Sequence, residues 1–244
     1  MSNPESCIVR HFSHYCDLTE HDMDILLELE KSPLNVFAND VLWEEGAKAD
    51  NICTVKEGWA YSYRSMNDGT RQVMDIYLPG DVIGMREFAF QERLTGVAML
   101  TDGIVCRFPN KSMIDIFTNS PQLTAVFFAI SARQQALLTE RLVNLGRRNA
   151  REKVAHFVYE MYVRLRRTNP DIGNYFSLPL SQQIFADILG LSAVHISRTF
   201  SELREEGLIF RDRNRVEIPD LARLAEVSGF SDKYLNDHLN DYFT

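Results

Sequence analysis

The chain has 244 residues, is 45% hydrophobic, and carries 26 Lys and Arg against 34 Asp and Glu, a formal charge of −8. That is enough apolar material for two small cored domains, and too much acid for a protein that coats nucleic acid or an anionic membrane with its whole surface. No run approaches about 18 apolar residues and the opening MSNPESCIVRHF is polar, so neither a membrane span nor a secretory leader is expected, and the expected compartment is the cytoplasm.

Leu18–Leu29 (LTEHDMDILLEL) reads as a short amphipathic helix with Thr19 as its cap, ahead of Glu20 and Asp22. From Leu34 to about Pro109 the apolar period becomes two. Val41–Trp43, Ile52–Val55, Trp59–Tyr63, Gln72–Tyr77, Val97–Leu100 and Gly103–Phe108 read as strands. Between them lie the turn signals Glu45-Gly46, Glu57-Gly58, Asn67-Asp68-Gly69 and Pro79-Gly80-Asp81. Short strands at this spacing predict a sandwich or jelly roll. The four cysteines, Cys7, Cys16, Cys53 and Cys106, show no close pairing and are expected as reduced thiols.

A long helix follows, about Gln122 to Gly146. Its apolar stripe (Leu123, Phe127, Ile130, Leu137, Leu138, Leu142, Leu145) is too long for one sheet to cover and predicts a parallel partner helix in a two-fold dimer. Arg147–Arg151 reads as a hinge, and the next helix, to about Arg167, is expected to bury Val154, Phe157, Val158, Met161, Tyr162 and Leu165.

Leu178–Leu208 then reads as two helices and a tight turn: Ser181 caps the first, Gly190 ends it, Ser192 caps a second over Ala193–Glu206, and Gly207 stops it. With Ile196, Phe200 and Leu203 inward, the outward face is Val194, Ser197, Arg198 and Ser201. Short side chains around one guanidinium suit a helix entering a DNA major groove, where arginine pairs with guanine O6 and N7. Leu208–Phe210 and Val216–Ile218, joined by Arg211-Asp212-Arg213-Asn214-Arg215, read as the wing of a winged helix-turn-helix, placed to meet phosphate. Charge is segregated accordingly: residues 1–146 hold 12 basic and 20 acidic side chains, residues 147–218 hold 12 and 9, and residues 219–244 hold 2 and 5.

A β-roll, a long helix and a winged helix-turn-helix, in that order, resemble the Crp/Fnr family of bacterial transcription regulators over nearly the whole chain. The resemblance is carried by Gly46, Gly58, Pro79-Gly80-Asp81-Val82-Ile83-Gly84 and, most specifically, Leu189-Gly190-Leu191-Ser192 leading to Ile196-Ser197-Arg198-Thr199. It implies an α+β protein: a β-roll sensor domain resembling cyclic-nucleotide-binding domains (1–118), a dimerisation helix (119–146) and a winged helix-turn-helix (147–244). It implies base contacts from Val194, Ser197 and Arg198, with phosphate contacts expected from Ser181, Ser192, Ser201, Arg211, Arg213 and Arg215. Many relatives carry Glu at the place of Val194 to read a C·G pair; valine accepts no hydrogen bond and suits a thymine methyl instead. The implied partners are double-stranded DNA, a second copy of the chain and, for an activator, RNA polymerase.

For an effector pocket the resemblance points to Gly84, Met85, Arg86, Thr95 and Gly96. Cyclic AMP binders place Glu where Met85 stands and an Arg-Ser pair where Thr95-Gly96 is read, so cyclic AMP is not expected. Oxygen-sensing relatives hold an iron–sulfur cluster on cysteines; Cys7, Cys16 and Cys106 fall at or near three of the places, but Arg10 takes the fourth, so a cluster is not expected, and Cys7, His11, His14 and Cys16 match no common zinc finger. The cofactor stays open, since a haem needs only one axial His or Cys. The alternative from a different class, a cupin-like metalloenzyme with a helical accessory domain, needs histidines on its strands, and Asp22 to Ala155 contains none. No catalytic constellation is evident and the chain is not expected to be an enzyme.

Overall fold

The computed structural model describes residues 6–235 and residue 239, which fall into two compact units, one of residues up to 134 with residue 239, the other of residues 135–235. Residues 1–5 of the polar opening and 236–238 and 240–244 of the C-terminal stretch lie outside the described residues.

In the first unit, β1 (Pro33–Val36), β8 (Gly103–Pro109), β3 (Asn51–Glu57) and β6 (Val82–Ile83) form one antiparallel sheet in that order. β2 (Val41–Trp43), β7 (Gly96–Met99), β4 (Ala60–Ser65) and β5 (Arg71–Tyr77) form the other. Alternate residues turn inward to a core of Trp43, Val55, Tyr77, Ile83, Met99 and Val105. A second core builds on Ile52 and Phe108. It is covered by α1 (Cys7–Phe12), α2 (Glu20–Leu29), α3 (Asn110–Asn119) and the first half of α4 (Pro121–Arg147). The expected Thr19 cap is present as a reciprocal box: Thr19 Oγ1 accepts from Asp22 N–H, and Asp22 Oδ2 accepts from Thr19 N–H. Asp22 also accepts a buried hydrogen bond from Ser120 Oγ at 2.6 Å, which ties α2 to the start of α4.

α1 departs from the polar N-terminus read from sequence, since Ile8, Val9 and Phe12 are buried and Phe12 meets Phe127 edge to face at 4.9 Å. Burying a side chain of this size stabilises by about 1.5–3 kcal/mol.

The division between the compact units falls within α4, after residue 134, because its two halves are buried in different cores. Leu123, Phe127 and Ile130 belong to the first core, and Leu137 packs with Phe230 in the second unit. The apolar stripe therefore divides: those four residues are spent within the chain, Leu138 and Leu145 are half-buried, and Leu142 is 71% exposed.

In the second unit α5 (Ala150–Thr168), started by an Asn149–Glu152 capping box, packs against α8 (Leu221–Ser228) and α7 (Ala193–Glu205). It buries the expected Val154, Phe157, Val158, Met161 and Tyr162, while Leu165 is half-buried. A three-stranded sheet in the order β10 (Phe210–Asp212), β11 (Arg215–Glu217), β9 (Tyr175–Ser177) stands beside α6 (Gln182–Leu189) and α7.

Glu160, buried on α5, pairs with Arg141 of α4 at 2.6 Å and with Arg164 at 3.6 Å. One turn earlier, fully buried His156 sits with Nδ1 3.1 Å from the Ser228 carbonyl oxygen, an arrangement a neutral imidazole satisfies by donating Nδ1–H. Burial pushes the His156 pKa below its ordinary 6.5, against the opposing pull of Glu160. The fold thus favours neutral imidazole, and the unfolded chain takes up the extra proton first as pH falls through 6.5. Stability is then lost below that value, by at most about 1.4 kcal/mol per pH unit. Urea denaturation between pH 7.5 and pH 5.5 is expected to show this loss in the parent chain and a shallower one in His156→Gln, which keeps a donor but does not titrate. Equal slopes would mean that His156 is not held neutral.

Candidate nucleic-acid interface

The geometry of α6 and α7 follows from three local decisions. Ser181 Oγ accepts from Ile184 N–H (3.1 Å) and Ser192 Oγ from His195 N–H (3.2 Å), starting the two helices. Between them Gly190 adopts φ 63°, ψ 39°, a conformation that costs residues with a side chain, and ends α6. The helices are locked by Phe185 of α6 and Phe200 of α7, which meet edge to face at 5.1 Å. Ile196, Phe200 and Leu203 face inward and Val194, Ser197, Arg198 and Ser201 outward, with Val194 80% exposed.

The outward hydroxyls differ in what they have left to give. Ser181 and Ser192 act as acceptors in their caps, so each keeps an O–H to donate. Ser201 Oγ donates to the Ser197 carbonyl (3.2 Å) and must rotate to reach a ligand. Arg198 donates from Nε to Glu202 Oε1 at 3.2 Å.

The wing carries Arg213 and Arg215 outward; Arg215 Nη1 donates to Tyr175 Oη of β9 (3.1 Å). Arg211 differs from its sequence-based role. Its guanidinium lies 4.7 Å from the Phe185 ring centre and 4.8 Å from that of Phe200, and donates to the carbonyls of Leu180 and Arg213. The physical reason is register: Arg211 stands opposite buried Val216, on the face of the hairpin that turns toward the helices. Ser197, Ser201, Arg211 and Arg213 nevertheless share one cleft, of about 320 Å³, with two residues the sequence reading missed, Gln182 and Arg204. Spacing held a signal for both: Gln182 opens α6, and Arg204 continues the stripe of Ser197 and Ser201 by one turn.

The expected effector residues divide between an apolar cavity and a buried carboxylate. Met85 lines an apolar cavity of about 230 Å³ with Phe88, Met113, Phe117 and Phe127. Thr95 donates to buried Glu87 at 3.3 Å, Arg86 stands 4.0 Å from the same carboxylate, and Gly96 packs under Tyr63. The side chain that reaches Gly84 is Arg93, which an added Cβ there would meet at 2.9 Å; it stacks 3.9 Å from the Trp43 ring centre and donates to the Asn51 carbonyl. Met85 offers a ribose hydroxyl no carboxylate, and the guanidinium beside Gly84 gives Nη2 to Asn51 while its Nε is buried without a partner among the described residues. Cys7 accepts from Arg10, Cys16 from Gln122, and Cys106 lies against the Glu30 carbonyl. Among the described residues no three His, Cys, Asp or Glu side chains gather into a metal-binding group, and no helix is long and apolar enough to cross a membrane.

Residues 152–227 match the Crp-like helix-turn-helix domain and residues 33–120 the cyclic nucleotide-binding domain. The chain is 33% identical over 195 residues to the transcriptional activatory protein AadR of Rhodopseudomonas palustris, covering 78% of this chain and 76% of that one. The chain belongs to the Crp/Fnr family. The transcriptional activator FnrL of Cereibacter sphaeroides is 28% identical over 91% of this chain and 90% of its own. The structure of FixK2 from Bradyrhizobium japonicum shares the fold with a TM-score of 0.74 at 24% identity, over 82% of this chain and 98% of that one. As a Crp/Fnr regulator the protein carries its helix-turn-helix on the surface that α7 and the wing present.

The wing's seat generates a test. Arg211→Ala removes a stacked, doubly bonded guanidinium and is expected to cost about 1–3 kcal/mol in urea unfolding. Arg211→Lys recovers little, because an ammonium neither stacks nor forks. Arg213→Ala is expected to leave stability within about 0.5 kcal/mol. Equal stability of the two alanine variants would remove Arg211 from its structural role.

Proposed function

We propose that this Crp/Fnr family member is a dimeric, sequence-specific DNA-binding transcription regulator that sets one α7 into the major groove of each half of a palindromic site. The observation that carries the reading is the outward face of α7: small residues around Arg198, flanked by a cationic cleft. Arg198 presents its fork to guanine O6 and N7, Ser197 offers a hydroxyl to an adjacent base edge, and Val194 meets a thymine methyl. Ser181, Ser192, Ser201, Arg213 and Arg215 take phosphates together with Gln182 and Arg204, while Arg211 holds the wing in place and lines the cleft floor. The basic excess in residues 147–218 supports this, within a chain whose acidic remainder resists unspecific collapse onto DNA.

Dimerisation falls to the side of α4 not spent in the two cores. Phe128, which is 76% exposed, Gln135 and Leu142 recur every seven residues with half-buried Leu138 between, the spacing of a two-stranded seam. A signal acting on the β-roll alters the distance between the two recognition helices and hence affinity. The relatives named activators favour activation, with RNA polymerase as the protein partner, in the cytoplasm and without enzymatic chemistry.

The test is selection of duplexes from a random pool by the protein purified in air without added ligand, alongside Arg198→Ala. The expected outcome is a palindrome with a guanine in each half-site, and a loss of preference at that guanine by about tenfold or more in the variant. Selection of the same sequence by both proteins would overturn the role of Arg198, and enrichment of nothing by either would overturn ligand-independent binding.

A further inference from the structure

An acidic side chain on a helix face that approaches phosphate needs a reason. Glu202 lies on the exposed side of α7, one turn beyond Arg198, and its carboxylate accepts from Arg198 Nε at 3.2 Å. Two general points argue against helix stability as that reason. Exposed i,i+4 ion pairs contribute little, and the favourable order places Glu before the basic residue, the reverse of what stands here. Direct contact with DNA is also not its natural role. Recognition helices read bases from their N-terminal residues, and four residues carry Glu202 about 6 Å farther along the axis than Arg198.

The effect on Arg198 is more specific. Its side chain is 80% exposed and among the described residues makes no other hydrogen bond. A guanidinium on a flexible stem has many rotamers and two edges for bidentate contact, the Nε/Nη edge and the terminal Nη/Nη edge. With Nε engaged by Glu202, only the terminal edge remains, and the stem is held along the helix instead of sweeping solvent. We infer that Glu202 is a positioning residue that sets the guanine selectivity of Arg198 by claiming its Nε and leaving the terminal fork for the base. This rests on the DNA-binding function proposed above.

The experiment uses two duplexes that differ only at the guanine assigned to Arg198, and measures the ratio of their dissociation constants for the full-length protein. The proteins are the parent, Glu202→Ala, Glu202→Gln, Arg198→Ala and the Arg198→Ala/Glu202→Ala double variant. Loss of a negative charge raises affinity for both duplexes in both Glu202 variants, which cancels in the ratio. The ratio itself is expected to fall about threefold to tenfold in Glu202→Ala, to be largely kept in Glu202→Gln, whose amide oxygen still accepts from Nε, and to be unchanged by adding Glu202→Ala to Arg198→Ala. An unchanged ratio in Glu202→Ala would overturn the inference, as would an equal fall in the Arg198→Ala background, which would make Glu202 a reader in its own right. If Arg198→Ala keeps the parent's ratio, the base-reading role of Arg198 fails and the inference falls with it. Thermal melting of the five proteins distinguishes a change in reading from a loss of fold.

Discussion

The edge-to-face contact between Phe185 and Phe200, roofed by the Arg211 guanidinium, is the interaction on which the proposed recognition surface depends. It joins α6, α7 and the wing, three pieces too short to be stable separately, into a block whose outward face is then dictated by periodicity. Arg211 supplies the wing's share by bonding the Leu180 carbonyl just before α6. Glu206, at the far end of α7, receives the Arg151 guanidinium from α5 and offers its own carbonyl to Arg223 of α8. The reading helix is thus pinned along its length while its solvent side stays open.

α4 is constrained differently. Its stripe is consumed by two cores in succession, Leu123, Phe127 and Ile130 in one and Leu137 in the other, so what remains for a partner is narrower than its composition suggests. The seam proposed on Phe128, Leu138 and Leu142, with a polar Gln135 between them, would favour one register over maximal burial. In the β-roll the polar residues around Gly84 are spent on one another and on the backbone. Glu87, Arg93 and Thr95 are buried and bonded to their own neighbours, and the open volume beside Met85 is apolar.

Much of this was legible in the amino-acid order. The caps at Thr19, Ser181 and Ser192, the left-handed Gly190, the inward Ile196-Phe200-Leu203 triplet and most strands follow from local chemistry, and local chemistry is what a single sequence records. The departures share a cause, in that each depends on a partner distant in the chain. α1 hides three buried apolar residues among polar ones, and only the sheet beneath shows that they are covered. β9, three residues long, exists because β11 pairs with it. Periodicity showed that α4 has an apolar face but not what covers it. Arg211 looked like its basic neighbours until the hairpin register turned it inward. At the roll, order alone did not show which side chain reaches Gly84, and it is that of Arg93, folded back from two residues before Thr95.

The central claim is that two copies of this surface read two half-sites on one face of the duplex, about one helical turn, ~34 Å, apart. The most direct measurement is the affinity of the full-length protein for its selected palindrome and for the same duplex with about five base pairs inserted at the centre, which rotates one half-site to the opposite face. The account predicts that the insertion reduces affinity to that of a single half-site, a loss of about 100-fold or more. Equal affinity for the two duplexes would contradict it, because a surface that ignores the phase between half-sites is not read by a two-fold dimer.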